Sequence, residues 1–262
     1  MKKITHVKKL LGSTLILIVF LTGCQPREAE ETPQPQMEET PMGEAAIPQP
    51  GVPFAIHRDI VLDPAVTEDA DSLLVSGFLY EGLVQLDESD TIQPALAESW
   101  VISDDQLDYI FEIRPNARFS DGTPITTDII VQNFNRWFDP QSPLHGEGNF
   151  PNWRNLFLAF NGERDSGKKA ISQVDGIQKV DVNTVIIHLN RPEPNLLKYL
   201  AQPAFSILNL DALAAGGYDA RDSSILTSGP YVISAWTDEG LTLSPNPSYW
   251  NPVEDDLTFT WK

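Results

Sequence analysis

The chain has 262 residues, 41% of them hydrophobic, with 37 acidic against 18 basic side chains and a formal net charge of −19. So acidic a polypeptide lacks the basic stripe that phosphate contacts need, which argues against nucleic acid as a partner. Its single cysteine excludes an internal disulfide, and its length allows one sizeable core or two smaller subdomains.

The chain opens on Lys2, Lys3, Lys8 and Lys9, followed by an almost purely apolar run from Leu10 to Leu21. A basic head, a short apolar stretch and small residues describe an export signal. The run falls short of the roughly 20 apolar residues that a permanent bilayer helix needs. Leu21-Thr22-Gly23-Cys24 resembles the lipobox of bacterial lipoproteins. That resemblance implies a signal peptide over 1–23, with Cys24 acylated as the new N-terminus; the plainer reading of Cys24 is a free thiol. Residues 24–52 hold Pro26, Pro33, Pro35, Pro41, Pro48 and Pro50 among six glutamates, with no aromatic residue. Such a stretch cannot bury enough apolar surface to offset its ordering entropy, and is expected to be a disordered acidic tether.

The first ordered stretch is expected from Phe54 to Leu62, ended by Leu62-Asp63-Pro64. Ser72 to Tyr80 has helical spacing and stops at Glu81-Gly82. Leu83-Val84 and Leu86 suggest a short strand, and Gln93 to Trp100 leads into a second. Leu107, Tyr109, Phe111 and Ile113 alternate with more polar residues, the period of a half-buried strand. After the tight turn Asp121-Gly122-Thr123-Pro124, Thr126 or Thr127 caps a helix with Ile129, Ile130, Phe134, Trp137 and Phe138 on one face. The helix ends before Asp139-Pro140. Residues 139–170 look like loop. Val174 to Val180 and Val185 to Leu189 read as strands, and Asn195 to Tyr199 as the start of a short helix. Tyr231 to Trp236 and Leu241 to Leu243 form a hairpin closed by Asp238-Glu239-Gly240. Leu257, Phe259 and Trp261 alternate in a last strand.

Six landmarks then stand in a family's order and spacing: Leu62-Asp63-Pro64, Leu79-Tyr80-Glu81-Gly82-Leu83, Pro94 to Trp100, Phe119 to Pro124, Gly229-Pro230-Tyr231 and Asn246-Pro247-Ser248-Tyr249-Trp250. Over residues 54–262 the chain resembles family 5 of the bacterial extracellular solute-binding proteins, the dipeptide-, oligopeptide- and nickel-binding components of ABC importers. Leu226-Thr227-Ser228 departs from the Gly-Thr usual before the Gly-Pro-Tyr turn. The resemblance implies an α/β fold like that of periplasmic binding proteins of the class II type, with mixed sheets and flanking helices. It implies the first of two lobes, with the second lobe missing: a truncated product, a fragment or one half of a split protein. The expected division is 53–80 for a first segment of lobe I, 81–206 for a family-specific extra subdomain, and 207–262 for a second, incomplete segment of lobe I.

The resemblance also implies a role: an exported, lipid-anchored binder on the outer face of a bacterial membrane that delivers extended peptides to ABC permease subunits. A separately encoded second lobe is a further implied partner. By the same resemblance, Thr67, Glu68, Asp69, Ala70 and Asp71 line the ligand cleft, and Leu144 stands where the family often has a ligand-facing tyrosine. From its loop setting, Trp153 is the tryptophan most open to stacking on a ligand; the plainer reading of all six tryptophans is packing. Other constellations carry less. Gly162 to Lys169 misses a phosphate loop because Lys169 replaces the Ser or Thr that would hold magnesium. His57, His145 and His188 are scattered, so no metal or other cofactor is expected, although a nickel-chelate ligand is an alternative that the family admits. No nucleophile motif points to catalysis. The competing reading is a degenerate or repurposed single lobe acting as an interaction or sensory protein of the envelope.

Overall fold

The computed structural model describes residues 48–222 and 224–262. The expected leader, Cys24 and the tether up to residue 47 lie outside the described residues. The first strand, β1 (Phe54–Ile56), is shorter than the sequence suggests. The chain turns just beyond it, where the Ile60 N–H donates to the Arg58 carbonyl (3.0 Å). Helix α1 (Ala70–Leu79) begins earlier than expected because Asp69 caps it, accepting from the Ser72 N–H (2.7 Å). A small hairpin follows, β2 (Val84–Leu86) and β3 (Ile92–Pro94), then β4 (Ala97–Ile102) and β5 (Asp108–Ile113). In α2 (Thr127–Phe138) the cap is Thr126, and Ile130, Phe134, Trp137 and Phe138 are buried, as the spacing predicts. The stretch that looks like loop contains α3 (Pro151–Phe157), started by a proline at its first turn and anchored by Trp153 and Phe157 four residues apart. Next come β6 (Val174–Lys179), β7 (Thr184–Leu189), α4 (Leu196–Leu200), α5 (Leu210–Ala214), the hairpin β8 (Tyr231–Trp236) and β9 (Gly240–Pro245), and β10 (Leu257–Trp261).

Two four-stranded sheets organise these elements into the mixed α/β architecture that the sequence leads one to expect. One, in the order β4-β5-β7-β6, is antiparallel throughout. Its inward side chains, Tyr109, Phe111, Ile113, Val185 and Ile187, join α2 and α3 in an aromatic core with Phe134, Phe138, Phe150, Trp153 and Phe157. The other, in the order β1-β10-β9-β8, pairs strands from opposite ends of the described chain, with β1 parallel to β10. Beneath it lie Ile56, Val75, Leu79, Tyr80, Leu241, Leu243 and Phe259. Gly240 is obligatory there: a β-carbon would stand 2.0 Å from the Phe259 carbonyl oxygen.

Polar ties join the two cores. The Glu81 N–H donates to the Ser228 hydroxyl (3.1 Å), which donates to the Ile207 carbonyl (2.7 Å). The unusual Thr227-Ser228 sequence is thus a fully buried hub, and Gly229 follows because a β-carbon would come within 2.8 Å of the Tyr80 main chain. The Glu81 carboxylate accepts from the Tyr249 hydroxyl (2.6 Å) and the Trp250 indole N–H (2.9 Å), and the Arg114 guanidinium lies 3.7 Å from the Trp250 ring. A second tie is the buried ion pair of Arg136 on α2 with Asp63 beyond β1.

Candidate functional site

In an open α/β sheet the crevice outside the carboxyl ends of the strands is where ligands are met. Here β1 and β10 run parallel and end side by side, with Ile56 opposite Trp261 and the Lys262 N–H donating to the Ile56 carbonyl (2.8 Å). The segment 67–71 passes the same place on its way into α1. His57 Nε2 donates to the Asp69 carboxylate (2.7 Å), and the His57 main-chain N–H donates to Asp71 (2.8 Å). Lys262 Nζ reaches the same Asp71 oxygen at 3.3 Å. Burial alone would raise the Asp69 carboxyl, but the hydrogen bonds from Ser72 and His57 outweigh it and hold the group below its ordinary range.

The acidic segment is therefore two kinds of residue. Asp69 and Asp71 are engaged by the protein itself. Thr67 is buried, its hydroxyl accepting from the Asp69 N–H (3.0 Å) and its carbonyl accepting from Asn152 (2.8 Å). Ala70 is exposed at the first turn of α1. Glu68 is exposed and, among the described residues, accepts only from the uncharged Asn155 amide (2.8 Å). Leu144 lies elsewhere, half-buried in a groove of about 320 Å³ between α2 and the turn that follows it.

Trp153 corrects an expectation. Its ring is wholly buried, edge-on to Phe134 (5.3 Å between centroids) and close to Phe157 (4.5 Å), and its N–H donates to the Ala159 carbonyl (3.0 Å). A ring packed on both sides with its donor satisfied has no face left for a ligand. A half-exposed aromatic pair near the 67–71 segment is instead Trp236 and Trp261, with centroids 5.6 Å apart at the end of the β1/β10 sheet. The alternation Leu257, Phe259, Trp261 carries a partial signal, since it sets Trp261 on the same strand face as the buried Leu257 and Phe259. Arg221 lies over Trp236 (5.8 Å) and borders a neighbouring cavity of about 260 Å³ lined by Ile60–Asp63, Val66 and Tyr218–Arg221.

His145 is buried between the rings of Phe150 and Phe160 (4.9 and 5.0 Å), its Nδ1 donating to the Arg136 carbonyl (2.8 Å). His188 pairs with Asp108 across β5 and β7 (2.7 Å). Among the described residues no three His, Cys, Asp or Glu side chains converge as metal ligands, and no helix is long and apolar enough to cross a membrane.

Comparison with known proteins identifies the family and the fold. Residues 91–259 match the family described as bacterial extracellular solute-binding proteins, family 5 Middle. The chain is 31% identical over 194 residues to the periplasmic oligopeptide-binding protein OppA of Escherichia coli K12, a match covering 72% of this chain and 34% of that protein. It is likewise 31% identical over 186 residues to heme-binding protein A of Haemophilus influenzae, covering 66% of this chain and 32% of the relative. Among solved structures, it superposes on the periplasmic binding protein DppA of Helicobacter pylori, determined in complex with the peptide STSA. The TM-score is 0.64 at 27% identity, over 80% of this chain and 42% of that one. The chain thus spans about a third of the length of the curated relatives it matches.

Proposed function

Because the chain belongs to the family 5 bacterial extracellular solute-binding proteins, we propose that it is the substrate-binding component of a peptide ABC importer. In this reading a lipid on Cys24 holds it to the outer face of a bacterial membrane, and it hands its ligand to permease subunits. The observation that carries the reading is the convergence at the carboxyl ends of β1 and β10. There the 67–71 segment, His57, Lys262 and the Trp236–Trp261 pair meet at one exposed edge. The names of OppA and DppA supply the peptide chemistry.

An extended peptide satisfies its main-chain donors and acceptors much as an added strand does, so affinity comes without reading every side chain. Of the three carboxylates in 67–71, Asp69 and Asp71 are already engaged by the His57 ring and the Lys262 ammonium. Glu68 is left to meet a cationic group on the ligand. The tryptophan pair offers apolar faces to neighbouring ligand side chains. This region forms one wall of the cleft, and a second lobe closing over the ligand supplies the remaining contacts and excludes water.

The test is to titrate the chain with the peptide Ser-Thr-Ser-Ala by calorimetry and amide NMR. One wall alone should bind no tighter than about 0.1 mM, roughly −5 kcal/mol. The shifts should centre on 67–71 and Trp261, and Glu68→Ala should weaken what binding there is. Micromolar binding by the chain alone, or shifts confined to other residues, would overturn the reading.

A further inference from the structure

The segment Gly162–Lys169, a near-match to a phosphate loop, is the tip of a tight hairpin. Arg164 bridges to Ala170, the Asp165 N–H donates to the Lys169 carbonyl (2.9 Å), and the Lys168 N–H donates to the Asp165 carbonyl (2.9 Å). The Asp165 carboxylate accepts from the Lys169 N–H (2.9 Å), taking the place an anion would need. The hairpin is therefore no phosphate cradle, and its charges call for another account.

Five of the chain's 18 lysines and arginines surround it: Arg154, Arg164, Lys168, Lys169 and Arg191. Arg164, Lys168 and Lys169 are exposed on the hairpin itself. Arg154 grips Glu163 through both terminal nitrogens (2.8 and 3.3 Å) and lies over the Phe160 ring (4.3 Å). Arg191 props the other side by donating to the carbonyls of Ala170 (3.4 Å) and Ile171. The cations are thus presented on a stiff support, in a molecule whose net charge is −19.

A second, independent feature lies beside them. Leu158 ends α3 next to Arg154, is 49% exposed, and has φ of +71°. Lys168 has φ of +64°. These are two of the four non-glycine residues with left-handed backbone among the described residues. Glycine adopts that conformation at less cost than leucine or lysine, so a displayed leucine is paid for in strain where folding alone would favour glycine.

We propose that this hairpin face is a docking surface for an acidic segment of a partner protein. Its carboxylates pair with Arg164, Lys168 and Lys169, and an apolar side chain seats on Leu158. A discrete segment engages the patch alone, whereas a planar anionic bilayer also confronts the acidic remainder of the surface.

The test is an amide NMR titration of the chain with a synthetic peptide of alternating glutamate and leucine, and separately with phosphatidylglycerol vesicles. Saturable shifts at Leu158 and Arg164–Lys169 are expected with the peptide, fading at high salt. The double charge reversal K168E/K169E should weaken binding at least tenfold. Leu158→Gly should raise Tm by relieving the backbone while weakening binding several-fold, a pair of opposite signs that a purely structural leucine would not give. Shifts that never saturate, binding indifferent to charge reversal, Leu158→Gly binding as well as the parent, or retention by vesicles without peptide binding would each overturn the proposal.

Discussion

The two four-stranded sheets have equal strand counts and unlike closures. The β4-β5-β7-β6 sheet is antiparallel and sealed by aromatic rings from α2 and α3, several of them wholly buried. The β1-β10-β9-β8 sheet is completed by strands brought from the two ends of the described chain, and it relies on polar ties at its margins. The first region is built for packing. The second gathers charged and half-exposed aromatic side chains at its strand ends, the edge proposed to meet the ligand. Stability and function should therefore separate by sheet, and substitutions can break or sharpen that division.

The largest effect is expected in the aromatic region. Trp153→Ala empties a site enclosed by Phe134, Phe138, Phe157 and Phe205, and large-to-small changes of this kind cost about 3–5 kcal/mol. Trp261→Ala, at a half-exposed ring, should cost less than about 1 kcal/mol. Urea denaturation of both variants measures the contrast. Equal costs would mean that the second sheet is packed as tightly as the first.

Next comes the seam between the cores. Burial pushes the Glu81 carboxyl up to about 7, against the hydrogen bonds from Tyr249 and Trp250 and the charge of Arg114, which pull it down. The folded state then holds this proton more tightly than the unfolded chain, whose carboxyl titrates near 4.5. Stability is accordingly greatest below that lower value and falls as pH rises towards 7, by up to about 3 kcal/mol. Glu81→Gln cannot ionise, so denaturation midpoints measured from pH 5 to 8 should lose this slope. An unchanged slope in the variant would place the titration elsewhere.

What the sequence disclosed follows from how local each signal is. Helix α2 was legible because its cap and its apolar face lie within one short window. Strands β5, β7 and β10 were legible because one buried face imposes a period of two. Helix α3 was hidden: seven residues opening on a proline, between glycine-rich flanks, resemble loop until Trp153 and Phe157 are seen in the core. The pairing of β1 with β10 has no local signal at all, and with it went the adjacency of His57, Lys262 and Trp261 to the acidic segment. Composition marks 67–71 as acidic. Only the three-dimensional neighbours reveal that Asp69 and Asp71 face His57 and Lys262 while Glu68 meets the uncharged Asn155 amide.

The smallest effect should come from the charged edge itself. The His57 and Asp69 side chains are 39% and 37% exposed, so solvent screens their attraction, and exposed pairs of this kind contribute little. His57→Gln removes the ring but leaves the main-chain N–H that holds Asp71, and it leaves the Ser72 N–H on the Asp69 cap. The helix start therefore survives, and the cost in urea denaturation should not exceed about 0.5 kcal/mol. The amide shifts of 67–71 should nonetheless move, because Asp69 loses the hydrogen bond from the His57 ring. A cost above about 2 kcal/mol would make His57 part of the structural frame. The division between a packing sheet and a ligand-facing sheet would then fail at the residue where it is most exposed to test.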